Sequence, residues 1–148
     1  MRLLTLLLLC VTLTGHAQEL PVYKGEILRR DGLSYKPFSN GPLTAKVEQY
    51  YDSGQLKALY TVIDGKKEGL TRYWHENGEL EGQITYVNGE GEGLEKAWHE
   101  NGQLYYEIPR VNGLAEGLLK FWKPDGDASS SCYKAGRSVD MSYCTKGK

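Results

Sequence analysis

The sequence predicts an all-β fold, a curved antiparallel meander of stacked β-hairpins with a period of 24 residues and atypical capping ends. Three series predict it. Gly54, Gly78, Gly102 and Gly126 recur every 24 residues. A second series, Gly41, Gly65, Gly89 and Gly113, keeps the same step and follows Asn40, Asp64, Asn88 and Asn112. The third is Glu-Gly-Leu at 68–70, 92–94 and 116–118. Asn-Gly and Asp-Gly steps between residues of high β-propensity mark hairpin turns. Successive turns stand 11 or 13 residues apart, which leaves room for strands and none for helices.

Composition bounds the rest. The chain has 148 residues, 18 Gly and 11 Tyr against 2 Phe and 2 Met, and a formal charge of −1. That length suits one domain. Charged residues at 25% and apolar residues at 40% argue against wholesale disorder. The absence of a basic excess argues against a nucleic-acid module held by general electrostatics.

The N-terminus reads as an address. Arg2 precedes the uncharged apolar run Leu3 to Leu13, and Gly15-His16-Ala17 follows with small residues at 15 and 17. This is the pattern of a secretory signal peptide over residues 1–17, cleaved between Ala17 and Gln18. The run is too short to cross a ~30 Å hydrocarbon core, which needs about 20 residues. A lipid anchor at Cys10 is disfavoured because Leu9 before it is not small. Cleavage removes Arg2 and Cys10, taking the charge from −1 to −2. The protein is thus expected to be exported, periplasmic or extracellular, with no stable membrane insertion. Cys132 and Cys144 are the two cysteines left, and an oxidising compartment predicts a disulfide between them.

Residues 18–39 carry Pro21, Pro37 and Arg29-Arg30 and form an expected N-terminal cap over the first sheet edge. Residues 40–126 hold the hairpin repeats. Within them, parity selects the turn. A three-residue loop Glu76-Asn77-Gly78, a type I turn closed by a left-handed glycine, pairs Trp74 with Leu80 and Leu70 with Ile84. A two-residue Asn-Gly turn would set Trp74 opposite Glu81. The first option collects apolar residues on one face: Tyr50 with Trp74, Trp98 and Trp122; Leu56 with Leu80 and Leu104; Leu70 with Leu94 and Leu118; and Tyr60 with Ile84 and Ile108. That face is expected to be the core. The other reads Tyr73, His75, Gln83, Glu95, Ala97, His99, Glu107 and Phe121, mixed and wet. The register at 64–65, 88–89 and 112–113 stays open.

The Tyr/Trp-x-x-Asn-Gly-x-Leu unit, the Tyr/Val-x-Asn/Asp-Gly step and Glu-Gly-Leu together resemble the bacterial MORN-repeat variant over roughly residues 40–126. Proteins of that type are often labelled YwqK-like antitoxins. The stretch from Pro37-Phe38 to Leu43-Thr44-Ala45-Lys46 is similar to a degenerate first copy, with Ala45 where the family usually has Gly. The resemblance implies a curved antiparallel sheet of stacked hairpins and a binding or scaffolding role.

Residues 127–148 form an expected C-terminal cap. Cys132 and Cys144 enclose Ala135-Gly136-Arg137, and a hairpin through that turn would set the cysteines on neighbouring strands.

Catalytic and metal chemistry finds little support. His75 and His99 are equivalent positions one repeat apart. Two strands at about 4.8 Å put them roughly 10 Å apart, too far to share a zinc ion that needs ligands at about 2.1 Å. No Gly-x-Ser-x-Gly occurs, and Ser129-Ser130-Ser131 has no His nearby in sequence. Gly89 to Gly93 lacks the Lys-Ser/Thr ending of a phosphate loop. The three tryptophans suit a core ladder better than a ligand platform. The expectation is a non-enzymatic protein with no cofactor and no metal that recognises a protein partner. In the sharper version it is an envelope immunity protein or antitoxin that masks a toxin; the alternative is a structural or carbohydrate-binding envelope module. Tyr73, His75, His99 and Phe121, on the mixed face, are the expected partner-binding residues.

Overall fold

Two kinds of turn alternate along the chain and generate the architecture. In a computed structural model, which describes residues 19–145, Asp64-Gly65, Asn88-Gly89 and Asn112-Gly113 all hold positive φ at both residues. That is the two-residue type I′ turn, whose twist matches that of the flanking strands. Asp31-Gly32 and Ala135-Gly136 do the same at the two ends. The other turn is the three-residue loop. At Glu76-Asn77-Gly78, the Gly78 N–H donates to His75 O and the His75 N–H donates to Glu79 O, with Gly78 at φ 90°.

In chain order the strands are β1 (Val22–Tyr23), β2 (Leu28–Arg30), β3 (Leu33–Tyr35), β4 (Ala45–Tyr50), β5 (Leu56–Ile63), β6 (Lys66–Trp74), β7 (Leu80–Val87), β8 (Glu90–Trp98), β9 (Leu104–Val111), β10 (Leu114–Ala115), β11 (Gly117–Trp122), β12 (Ala128–Lys134) and β13 (Arg137–Val139). One helical turn, α1 (Ser142–Thr145), follows. The main sheet runs β1-β4-β5-β6-β7-β8-β9-β11-β12-β13, with β10 paired to β9. The meander from β4 onward is antiparallel, but β1 lies parallel to β4 and covers that edge. Hairpin β2–β3 forms a separate two-stranded sheet. Among the described residues no helix is long and apolar enough to cross a membrane. The expected signal segment and its cleavage point, Ala17 to Gln18, lie outside the described residues.

The register corrects the expected faces. Trp74 pairs with Leu80 as the three-residue loop requires, but the next pair is Tyr73 with Gly82. Glu81 is therefore an extra residue, a β-bulge. Lys57 and Tyr105 are its equivalents between β4 and β5 and between β8 and β9. One extra residue inverts the side on which everything beyond it points. Thr71, rather than Leu70, therefore pairs with Ile84. Tyr60, Ile84 and Ile108 leave the tryptophan side and join Tyr73, Thr71 and Ala97.

Burial follows the inverted pattern. Leu43, Ala45, Val47, Ala58, Tyr60 and Val62 form the core cluster, with Tyr23, Ile27 and Tyr73 packed on it. Ile84, Ile108 and Thr71 are buried farther along that side. Leu70 and Leu94, expected in the core, are 44% and 45% exposed, and Tyr50 is exposed too. Trp74, Trp98 and Trp122 are only half-buried.

The Glu-Gly-Leu motif has a mechanical role. Gly69, Gly93 and Gly117 sit at φ 75°, 79° and 97°, where a second irregularity breaks the ladder. The preceding glutamates then reach forward one repeat. Glu68 accepts from the Asn88 N–H at 2.8 Å, Glu92 from Asn112 at 2.7 Å and Glu116 from Ala135 at 2.7 Å. Each carboxylate ties down the next type I′ turn. Thr44 takes the same place before Ala45, its hydroxyl accepting from the Asp64 N–H at 2.9 Å.

At the C-terminal end, hairpin β11–β12 runs past residue 126 to the Ala135-Gly136 turn, so the expected cap boundary at 127 falls inside a fourth hairpin. Cys132 and Cys144 form a disulfide with Cα atoms 5.9 Å apart. Cys144 lies on α1, not on a neighbouring strand: Cys132 pairs across the ladder with Val139, and the bridge clips the helical turn onto the sheet.

Candidate functional site

The side of the sheet that carries the core continues beyond it as a row of aromatic residues. Strand alternation sets Tyr73 on β6, Tyr86 on β7, Tyr106 on β9, Phe121 on β11 and Tyr133 on β12 facing the same way. The bulge at Tyr105 adds one more ring. Its centroid lies 4.7 Å from that of His99, 4.8 Å from Phe121 and 5.4 Å from Tyr106, the tilted and edge-on packing that aromatic pairs prefer.

Two adjoining open grooves of about 510 Å³ each run along this row. Tyr73, His75, Glu95, Ala97 and His99 line the first. Ile108, Arg110, Leu119, Phe121 and Tyr133 line the second. Tyr105 and Tyr106 line both. All four residues expected to bind a partner, Tyr73, His75, His99 and Phe121, thus lie on one side, along a continuous channel.

Two of them also have a task inside the fold. The His75 Nε2 lies 2.9 Å from Trp98 O, and the His99 Nε2 lies 3.1 Å from Trp122 O. A carbonyl only accepts, so each ring nitrogen carries the proton and donates. Tyr51, one repeat earlier, makes the same hook from its hydroxyl to Trp74 O at 2.9 Å. The histidines are therefore links between repeats. With Nε2 committed to a carbonyl on each, the pair offers no shared metal position, and among the described residues no group of three His, Cys, Asp or Glu gathers as a metal site.

The floor of the channel is polarised. Glu95 accepts from the Tyr106 hydroxyl at 2.5 Å and from the Arg110 Nε at 2.6 Å. Burial first, and then the bond to Glu95, pushes the Tyr106 hydroxyl pKa well above its ordinary value, so it stays a donor. On the other side of the sheet, Glu107 bridges Lys120 at 2.9 Å and Lys96 at 3.8 Å. The channel thus presents aromatic rings and phenol hydroxyls around the Glu95–Arg110 pair, with Glu81 and Glu100 also on the lining of the first groove.

Sequence reasoning missed Tyr105, Tyr106, Arg110 and Tyr133. Tyr105 follows Leu104 where Lys57 follows Leu56 and Glu81 follows Leu80. Its signal was a residue in excess between the paired Trp-Leu position and the next buried one.

Residues 43–64, 67–88 and 91–112 match the MORN repeat variant family. Each matched stretch ends on the first residue of a type I′ turn. No curated protein and no solved structure matches the chain.

Proposed function

From the three consecutive MORN repeats of the variant type that the chain carries, we propose that it is an exported, non-enzymatic module that recognises a protein partner through the aromatic side of its sheet. The observation that carries this reading is the continuous row Tyr73, Tyr105, Tyr106, Phe121 and Tyr133 along two open grooves. Rings with a polar tip are enriched at protein interfaces, where they bury large area at little conformational cost. The row is half-buried in the free chain, so a partner can remove the remaining area from water. Export is supported by the N-terminal address and by the Cys132–Cys144 disulfide, which suits an oxidising compartment. In the sharper form of the proposal, the partner is a toxin and the protein is its envelope antitoxin or immunity protein.

The test is capture from an envelope extract with the wild-type chain, Tyr105→Ala, Phe121→Ala and Leu94→Ala on the opposite side. A single protein partner should be retained by wild type and Leu94→Ala and lost by the other two, with the circular-dichroism melts of all four alike. Loss with Leu94→Ala alone, or capture of a polysaccharide with no protein, refutes the reading. Intact mass from the native host should lack residues 1–17; a full-length product refutes export.

A further inference from the structure

We propose that Arg29, Lys67 and Tyr86 form a binding site for an oxyanion, a phosphate or sulfate group that is either free or the terminus of a larger molecule. The site lies where hairpin β2–β3 meets the turns of the first two repeats. Its cavity, about 290 Å³, is bordered by Arg29, Gly32, Lys67, Tyr86, Asn88 and Glu90. That is room for an anionic group and part of its carrier.

The repeat itself does not call for a lysine at position 67. The equivalent residues are Leu43, Gly91 and Ala115, so Lys67 is particular to this unit. The fold draws it inward. Lys67 pairs with Val62, and Gly69 pairs with Tyr86, so the lysine shares the core side with Tyr60, Tyr73 and Tyr86. Its Nζ lies 4.5, 5.2 and 5.0 Å from those three ring centroids and donates to the Tyr73 hydroxyl at 2.5 Å. Burial pushes the Lys67 pKa down; Tyr86 opposes that push, and the nearby Arg29 charge adds to it.

Arg29 comes from outside the repeats, on the hairpin that the Ser34 N–H fastens to Gly65 O at 2.8 Å. The fold thus places a second cation beside a lysine already short of water. Among the described residues neither Arg29, Lys66 nor Lys67 has a carboxylate within ion-pair distance, although Glu90 stands at the rim. Two cations without a counter-charge repel each other, and an anion between them turns that repulsion into two attractions. Arg29 supplies a planar fork suited to an oxyanion, Lys67 a point charge and Tyr86 a hydroxyl. The turn amides take no part. The Asn88 N–H is held by Glu68 and the Gly89 N–H by Lys67 O. Tyr86 belongs to the aromatic row but lines neither of its grooves, and Tyr73, through its bond from Lys67, is the one residue that touches both places.

The test is isothermal titration of the purified chain with inorganic phosphate and with sulfate, at an ionic strength held constant with chloride. Saturable one-to-one binding is expected. Loss of one charged hydrogen-bond donor should weaken it about tenfold or more in Arg29→Gln and in Lys67→Met. Lys120→Gln, on the other side of the sheet, should bind like wild type. Arg29 is exposed, so its variant keeps the test decisive if Lys67→Met fails to fold. Glycerol phosphate and phosphatidic-acid vesicles, run on the same variants, identify the carrier. Soluble glycerol phosphate bound as well as the vesicles assigns a soluble ligand; tighter binding to vesicles that Arg29→Gln abolishes assigns a lipid headgroup. No saturable binding of phosphate or sulfate, or an equal loss in Lys120→Gln, overturns the proposal.

Discussion

Truncating Ile84 and Leu70 separately asks which side of the sheet is the core. Both lie in the second repeat, and both lose three carbons on replacement by alanine. Ile84 is 8% exposed, and its Cδ1 stands 2.7 Å from where a Cβ on Gly91 would be, so the missing side chain of Gly91, the partner of Tyr86, leaves the room it fills. At about 0.8 kcal/mol per buried carbon, Ile84→Ala should cost about 2.5 kcal/mol. Leu70 is 44% exposed, so the same scaling gives its variant a cost of about 1.3 kcal/mol. Urea unfolding followed by the fluorescence of Trp74, Trp98 and Trp122 reads the difference. With a slope of about 2 kcal/mol per molar, the midpoint should fall by about 1.2 M for Ile84→Ala and by about 0.7 M for Leu70→Ala. The slope itself should not change. An equal or larger fall for Leu70→Ala would refute the bulge at Glu81 and restore the leucine ladder as the core.

Gly78 sits at φ 90°, so Gly78→Val should destabilise by about 1–2 kcal/mol, whereas the neighbouring Glu79→Val should fall well short of that; equal midpoints would disprove the three-residue turn. Reduction of Cys132–Cys144 should release residues 128–145 to hydrogen exchange before the central strands open, since a closed loop of this size stabilises by roughly 3 kcal/mol; simultaneous opening of the whole sheet would contradict that role. The Ala135 N–H, and after it the Tyr143 hydroxyl, hold the Glu116 carboxyl below its ordinary value of 4.5. A folded pKa below the unfolded one gives stability that is complete above 4.5 and fades as pH falls through the folded value. Protection of the Ala135 amide should therefore decline under acid in wild type and show no such decline in Glu116→Gln; an acid-insensitive wild type would exclude the carboxylate from that turn.

The amino-acid sequence by itself determined the period, the places of the turns and the antiparallel order of the repeat strands, because each depends on a few neighbouring residues; the register at 64–65, 88–89 and 112–113 and the parallel β1 were not legible there. Asp64-Gly65, Asn88-Gly89 and Asn112-Gly113 form the two-residue turn, whereas Asn77-Gly78, Asn101-Gly102 and Asp125-Gly126 end the longer one, so the dipeptide marks a turn and the pairing of the flanking strands chooses its length. The pairing of Cys132 with Cys144 was legible for a similar reason, there being no other cysteine in residues 18–148. Only the tertiary structure decided which side is buried. Lys57, Glu81 and Tyr105 have nothing in common as side chains, yet each is the extra residue of a bulge, and one extra residue reverses every position beyond it. The tasks of His75 and His99 were hidden for a different reason. Their acceptors, Trp98 O and Trp122 O, are 23 residues away, and backbone carbonyls leave no mark in a sequence. The meeting of Arg29 with Lys67 likewise required a hairpin outside the repeats to dock on Gly65, a contact set by shape and not by any local motif.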